Sequence, residues 1–134
     1  MKEGGQSTSL WMNGRDTRPY LPLSTDVRVD VCIVGAGIAG TSVAYHLVRA
    51  GRSVMILDDG PIGGGETGRT TAHLANAIDD RYTEIERLHG RDGAGLAAES
   101  HTAAIARIEQ IVADEGLSCD FERVNGYLFI SKHE

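Results

Sequence analysis

Three glycines and one aspartate have the residue types and the spacing that bind a dinucleotide. Gly35, Gly37 and Gly40 form the pattern G-x-G-x-x-G directly after an apolar segment, and Asp58 ends a second apolar segment further along the chain. Such a turn brings the N–H groups at the start of a helix against a diphosphate, and the carboxylate accepts hydrogen bonds from ribose hydroxyls. An apolar strand before the glycines and a helix after them make the pattern specific. The sequence therefore predicts a site for a cofactor that contains ADP.

Each residue of this pattern has an expected role. Gly35 permits the tight turn after the strand, Gly37 lets the diphosphate approach the backbone, and Gly40 lets the helix pack closely on the sheet. An acid at position 58 disfavours a 2′-phosphate and therefore argues against NADP. The adjacent Asp59 is the competing acid, which we expect to be solvated. The predicted cofactor site in this region comprises Gly35, Ala36, Gly37, Ile38, Gly40, Asp58 and Asp59.

The elements that position this site follow from the hydrophobic pattern. Residues 29–34 are mostly apolar, which is typical of a strand covered on both faces of a parallel sheet. A helix is expected from about residue 37 to residue 50, with Gly51 as its end, and residues 54–58 form a second strand. The apolar stripe of the helix, at steps of four residues, is predicted to consist of Ala39, Val43 and Leu47.

The region after the second strand departs from the regular βα repeats of an NAD-dependent Rossmann domain. Residues 60–71 contain five glycines and form a loop whose backbone can closely approach a ligand. A short helix is predicted over residues 82–88 and a long one over about 92–115, with Gly116 as its end. This arrangement favours FAD over NAD as the cofactor.

The C-terminal residues predict a β-hairpin. Asn125 and Gly126, the preferred pair for a two-residue turn, separate the predicted strands 121–124 and 127–130. The predicted fold class is α/β: a truncated Rossmann-like βαβ unit that binds FAD or NAD(P), followed by helices and the start of an antiparallel sheet. The predicted organisation is an arm over residues 1–28, a cofactor-binding domain over 29–116 and the start of a substrate-binding domain over 117–134.

Composition excludes several classes of function. The chain has 134 residues and a formal net charge of −6, from 13 basic and 19 acidic residues, which argues against nucleic acid as a partner. No apolar run approaches the roughly 20 residues that span a bilayer, and the first residues lack the apolar core of a secretion signal. Cys32 and Cys119 belong to no C-x-x-C pair, so we expect neither a disulfide nor a metal site, and a cytoplasmic location.

Several stretches resemble the N-terminal part of FAD-dependent oxidoreductases of the D-amino acid oxidase/glycine oxidase superfamily. The resemblance is greatest to members that carry a C-terminal Rieske iron–sulfur domain. The three longer matching stretches are residues 34–40, 67–74 and 119–128. Shorter matches are residues 9–11, 79–82 and 99–101.

The resemblance implies FAD as the cofactor and hydride transfer from a small amine or amino acid as the reaction. It also implies that Arg69 contacts a phosphate or the flavin, and that Thr70 and Thr71 supply hydroxyl or backbone donors. The alternatives are a solvent-exposed loop charge for Arg69 and a helix N-cap before Ala72 for the two threonines.

The two Cys-x-His pairs that hold a Rieske [2Fe-2S] cluster are absent from the sequence, so such a cluster is expected only in a full-length parent. We interpret the chain as a truncated N-terminal piece that is inactive alone, holds FAD weakly and exposes an apolar face of its first strand. No catalytic residue and no oligomeric state is assigned. Two alternatives remain: a fragment of an NAD-dependent dehydrogenase, and a nucleotide-binding fragment without catalysis.

Overall fold

The computed structural model describes residues 20–79 and 81–127 of the chain. Within the chain, two compact units are distinguished, Met1–Ala72 and His73–Glu134. All of the predicted cofactor-binding residues belong to the first unit. Each unit is therefore described by itself.

The first unit contains strand β1 (Val31–Val34), helix α1 (Ile38–Arg49) and strand β2 (Val54–Leu57). The two strands pair in parallel along their whole length. Parallel neighbours cannot be joined by a tight turn, so the connection between them must cross over, and α1 is that crossover. The predicted βαβ unit is confirmed.

Asp30 and Ser53 join the starts of the two strands. One carboxylate oxygen of Asp30 accepts hydrogen bonds from both the N–H and the hydroxyl of Ser53, each at 2.8 Å. In return, the N–H of Asp30 donates to the Ser53 hydroxyl oxygen at 2.9 Å. These bonds, first of all that from the Ser53 backbone, hold the pKa of Asp30 below its usual value. The pair aligns the strands at the end opposite to the glycines.

Helix α1 packs on the sheet through a face other than the predicted one. Ala44 is buried, whereas Ala39 and Val43 of the predicted stripe are exposed. Leu47, which is half-buried, is the only predicted stripe residue that lies on the packed side. Because apolar residues occur on several sides of α1, a periodicity of 3.6 residues does not by itself select one stripe. Gly40 lies on the packed side as well, because a Cβ there would meet Gly35 and the Ile33 side chain of β1.

The other face of the sheet is open within the described part of the chain. Cys32 is exposed, and Val34 is 87% exposed. Side chains alternate between the faces of a strand, so these two residues share the face opposite to α1. The first strand thus presents the apolar face that the sequence predicted.

Both long helices end in a Schellman motif at a glycine. After α1, Gly51 has φ 76° and its N–H donates to the carbonyl of Val48, while the N–H of Arg52 donates to Leu47. The long helix of the second unit ends in the same way: Gly116 has φ 59°, and its N–H donates to the carbonyl of Ala113. A positive φ strains any residue with a Cβ, which is why glycine occupies both positions. The two predicted helix ends are confirmed.

The second unit is dominated by helix α2 (Arg81–Asp114), which is interrupted at Gly90. Gly90 has φ 73° and ψ 172°, so it separates a short helical segment from a long one, as predicted. Among the hydrogen bonds of this unit, the Tyr82 hydroxyl donates to the carbonyl of Asn76 at 2.5 Å. Among residues 20–79 and 81–127, neither helix combines the length with the hydrophobicity that a membrane span requires.

The predicted hairpin is not found in the described residues. Residues 121–127 form no strand, and residues 128–130 of the second predicted strand lie outside the described part of the chain. Two strands alone are marginally stable, so an Asn-Gly turn does not suffice without a surface to pack on. Of the predicted N-terminal arm, residues 20–28 have no regular secondary structure, and residues 1–19 lie outside the description.

Candidate functional site

The glycine turn, residues 35–40, connects the end of β1 to the start of α1. Gly35 has φ 103°, and its N–H donates to the carbonyl of Leu57 at the end of β2, at 2.8 Å. A Cβ placed on Gly40 would overlap the carbonyl oxygen of Gly35 and lie 3.3 Å from Ile33 Cγ2. The first glycine therefore permits the turn, and the third permits the close approach of the helix to it.

The Asp58 carboxylate bridges this turn and the residues after β2. Its Oδ2 accepts a hydrogen bond from the N–H of Ala36 at 2.5 Å, and its Oδ1 accepts one from the N–H of Gly60 at 2.7 Å. These backbone donors, that of Ala36 first, hold the pKa of Asp58 below its usual value, because they favour the ionised form. The side chain points to the glycine turn and remains solvent-accessible, with lone pairs left for further donors.

Asp59 does not take part in this arrangement. Its residue is exposed, and no hydrogen bond joins it to the glycine turn within the described residues. Of the two adjacent acids, Asp58 is thus the one that lies at the turn. Its contact with ribose stays a prediction.

A second segment packs against the turn. This glycine-rich loop, residues 60–71, reaches the turn through two hydrogen bonds. The N–H of Gly63 donates to the carbonyl of Ala36 at 2.9 Å, and the N–H of Ile38 donates to Thr67 Oγ1 at 3.0 Å. Gly63 and Gly68 are buried. Thr67 and Gly63 were not among the predicted site residues, because nothing local in the sequence says which loop residues meet the helix.

The contacts within the protein decide which N–H groups of the turn remain for a ligand. Ala36 and Ile38, both predicted cofactor-binding residues, already donate to Asp58 and Thr67. The N–H groups of Gly37, Ala39 and Gly40 have no acceptor among the described residues. The first turn of a helix carries such unpaired donors together with a partial positive charge. This cradle beside an ionised aspartate fits the diphosphate and ribose of an ADP-containing cofactor.

Arg69, Thr70 and Thr71 lie at the end of the glycine-rich loop. Arg69 pairs with Glu66, with Nη1 and Oε1 2.9 Å apart, and its side chain is 31% exposed, so it is not a fully solvated charge. The Thr70 hydroxyl accepts a hydrogen bond from the N–H of Ala72 at 3.3 Å. No helix begins there, so the alternative role of the threonines as a helix N-cap is wrong: Thr70 caps a turn. Contact of the three residues with a cofactor stays a prediction.

Other groups of potential chemical interest in the described part of the chain add no second site. Within residues 20–79 and 81–127, no three His, Cys, Asp or Glu side chains are grouped so that they could hold a metal ion. An open groove of the second unit is lined by residues that include Tyr82, Glu86 and Asp92. It contains none of the predicted cofactor-binding residues.

Comparison with known proteins places these residues in a family. The model of the DAO family, described as FAD dependent oxidoreductase, matches residues 30–134. A Rieske 2Fe-2S iron-sulfur protein, YhfW of Bacillus subtilis (strain 168), is 31% identical over 121 residues, which is 90% of this chain and 24% of that protein. Gamma-glutamylputrescine oxidoreductase of Escherichia coli (strain K12) is 30% identical over 116 residues, covering 87% of this chain and 27% of the relative.

Glycine oxidase of Bacillus licheniformis is 38% identical over 95 residues, which is 60% of this chain and 26% of that enzyme. The chain therefore spans about a quarter of the length of these curated relatives. No solved structure shows a significant match.

Proposed function

Because the chain belongs to the DAO family of FAD dependent oxidoreductases, we propose that its first unit binds the ADP part of FAD. The whole protein would then be a flavin-dependent oxidoreductase that oxidises a small amine or amino acid. Two relatives are named for substrates of these classes, gamma-glutamylputrescine and glycine. The family favours FAD over NAD, the cofactor of the alternative dehydrogenase.

One geometric observation carries the proposal. The Asp58 carboxylate, the end of β1 and the unpaired N–H groups of Gly37, Ala39 and Gly40 lie around a single strand-to-helix junction. The donors suit a diphosphate, and the carboxylate suits two adjacent ribose hydroxyls. No other part of the described chain combines these groups.

FAD supplies the redox chemistry when it is bound, as an acceptor of hydride from the carbon next to the substrate nitrogen. The residues of this chain have binding and positioning tasks. We assign the diphosphate to the free N–H groups of the glycine turn, the ribose to Asp58, and the diphosphate–flavin side to Arg69, Thr70 and Thr71. A Rieske [2Fe-2S] cluster, suggested by the similarity to YhfW, would belong to a part of the protein outside this sequence.

Titration of the 134-residue chain with FAD, followed by flavin fluorescence, tests the proposal. We expect Asp58→Asn to weaken binding by about tenfold or more, because hydrogen bonds to a charged group are lost. Asp26→Asn is the matched control, since it removes an exposed carboxylate that makes no hydrogen bond among the described residues. Equal weakening by both variants would show a general charge effect and refute the assignment of Asp58.

A second measurement separates contact with ribose from support of the glycine turn. ADP-ribose and its 2′-phosphate are compared as competitors of FAD. A carboxylate that faces the ribose repels the 2′-phosphate, so the wild type should bind ADP-ribose more tightly than its 2′-phosphate. Asp58→Asn should reduce this difference in affinity. An unchanged ratio of affinities would mean that Asp58 only supports the turn. Displacement of FAD by NAD at equal concentration would favour the dehydrogenase alternative.

A further inference from the structure

We infer that Thr67 is a positioning residue of the cofactor site: its hydroxyl caps helix α1 from a distance and holds the glycine-rich loop against the glycine turn. The capping contact is independent of any ligand. Its effect on FAD rests on the function proposed above.

The start of α1 lacks a cap of its own. The N-cap residue is Gly37, which has no side chain, and no side-chain bond from that position satisfies the helix. Ser, Thr, Asp or Asn at an N-cap normally accepts one of the first N–H groups. Here Thr67 Oγ1 accepts the N–H of Ile38 at 3.0 Å, from 29 positions further along the chain. A residue of the glycine-rich loop thus supplies the helix cap that the N-cap residue itself usually provides.

The Thr67 hydroxyl lies in the space that a side chain at position 37 would occupy. A Cβ on residue 37 would lie 3.1 Å from Thr67 Oγ1, which is closer than an ordinary van der Waals contact. The missing side chain at position 37 therefore makes room for the Thr67 hydroxyl as well as for a diphosphate. Substitutions at the two positions should consequently not be additive.

The loop is held at a second point. Gly63 lies four positions before Thr67, and its N–H donates to the carbonyl of Ala36 at 2.9 Å. Gly63 is buried and has φ 67°, and the N–H of Gly64 donates to the carbonyl of Pro61 at 2.8 Å. The loop is therefore compact and is attached to the glycine turn at two points, Ala36 and Ile38. A loop that is ordered before the ligand arrives loses less entropy on binding, so attachment through Thr67 should raise affinity.

The first test uses the chain without cofactor. Exchange of the Ile38 amide hydrogen, measured by NMR, is compared in the wild type, Thr67→Val and Thr67→Ser. Valine keeps the shape but removes the acceptor, so exchange of this amide should become faster; serine keeps the hydroxyl and should restore protection. Thr25→Val, which removes an exposed hydroxyl elsewhere in the first unit, is the control and should leave Ile38 unchanged. Unchanged protection in Thr67→Val would overturn the inference.

The second test measures the affinity for FAD by fluorescence titration. Loss of a helix cap should weaken binding by about two- to thirtyfold in Thr67→Val, and Thr67→Ser should recover it. Faster Ile38 exchange without weaker binding would refute the positioning role. Failure of the wild type to bind FAD even weakly would refute the proposed function but leave the exchange test valid. If Thr67→Val does not fold, Gly37→Ala replaces it in the exchange test alone, since a Cβ at position 37 crowds the Thr67 hydroxyl and should make exchange of the Ile38 amide faster. Its affinity for FAD is not compared, because the same Cβ would also crowd the diphosphate.

Discussion

The substitution Gly40→Ala tests the packing of α1 on the glycine turn. Alanine is favoured over glycine inside a helix by up to about 1 kcal/mol. At position 40, however, the added Cβ would overlap the backbone carbonyl oxygen of Gly35, which cannot rotate away. The helix must move, and overpacking of this kind costs about 1–3 kcal/mol. We expect the packing cost to exceed the gain in helix propensity, so that Gly40→Ala destabilises the first unit.

Gly95→Ala is the matched control. Gly95 also lies inside a helix, and a Cβ there would meet no atom within 4 Å. The same substitution should therefore stabilise α2 by up to about 1 kcal/mol. The two variants should differ by about 1–3 kcal/mol, which is the packing term alone.

Hydrogen exchange followed by mass spectrometry is the suitable assay, because peptides from α1 and from α2 report the two units separately. Protection of α1 should fall in Gly40→Ala, and protection of α2 should rise or stay equal in Gly95→Ala. Equal protection of α1 in Gly40→Ala and in the wild type would refute the argument that glycine is required there for packing.

Three further predictions concern the ends of α1, the acid at the turn and the second unit. Gly51→Ala should lower the free energy of unfolding of the first unit by about 1–2 kcal/mol, because φ is 76° at this position, and Gly51→Asn should lower it by less. Urea titration measures both variants, and an equal loss of stability in the two would contradict this conformational explanation. The pKa of Asp58 is lowered from 3.8 in the folded protein, so its carboxylate stabilises the turn above pH 3.8 and loses this effect as the pH falls through the lower folded pKa. The Ala36 amide proton, followed by NMR, should therefore titrate with a midpoint below 3.8, and a midpoint above 3.8 would contradict the prediction. Arg123→Ala should leave the thermal midpoint almost unchanged, since the Arg123–Glu109 pair is exposed; a large decrease would show that the pair does more than a surface ion pair.

Much of the first unit could be predicted because its signals are local. Apolar runs of strand length, a G-x-G-x-x-G turn and a glycine after the last helical residue each act on neighbouring residues only. They gave β1, α1 and β2 in the right order and placed the ends of both long helices at Gly51 and Gly116. The similarity of residues 30–134 to FAD dependent oxidoreductases was visible in the same way, from short stretches of sequence.

The errors have a common physical origin. The packed face of α1 was assigned to the wrong stripe, because Ala and Val occur around the helix and a 3.6-residue period does not by itself select one face. The first predicted strand of the hairpin, residues 121–124, is not formed, because an Asn-Gly turn between two short apolar runs does not provide the further partners on which strands depend. In both cases the outcome depends on what the element packs against, which periodicity and turn signals do not specify.

The sequence by itself determined the βαβ unit, the glycine turn and the acid at position 58, since each depends on backbone freedom or on hydrophobic order along a short segment. Only the tertiary structure decided which N–H groups of the turn stay free and which are already bonded. Ala36 is bonded to Asp58, and Ile38 to Thr67, by contacts that span 22 and 29 positions of the chain. A hydrogen bond of this range depends on where two segments meet in space, and no local pattern of residues specifies that meeting.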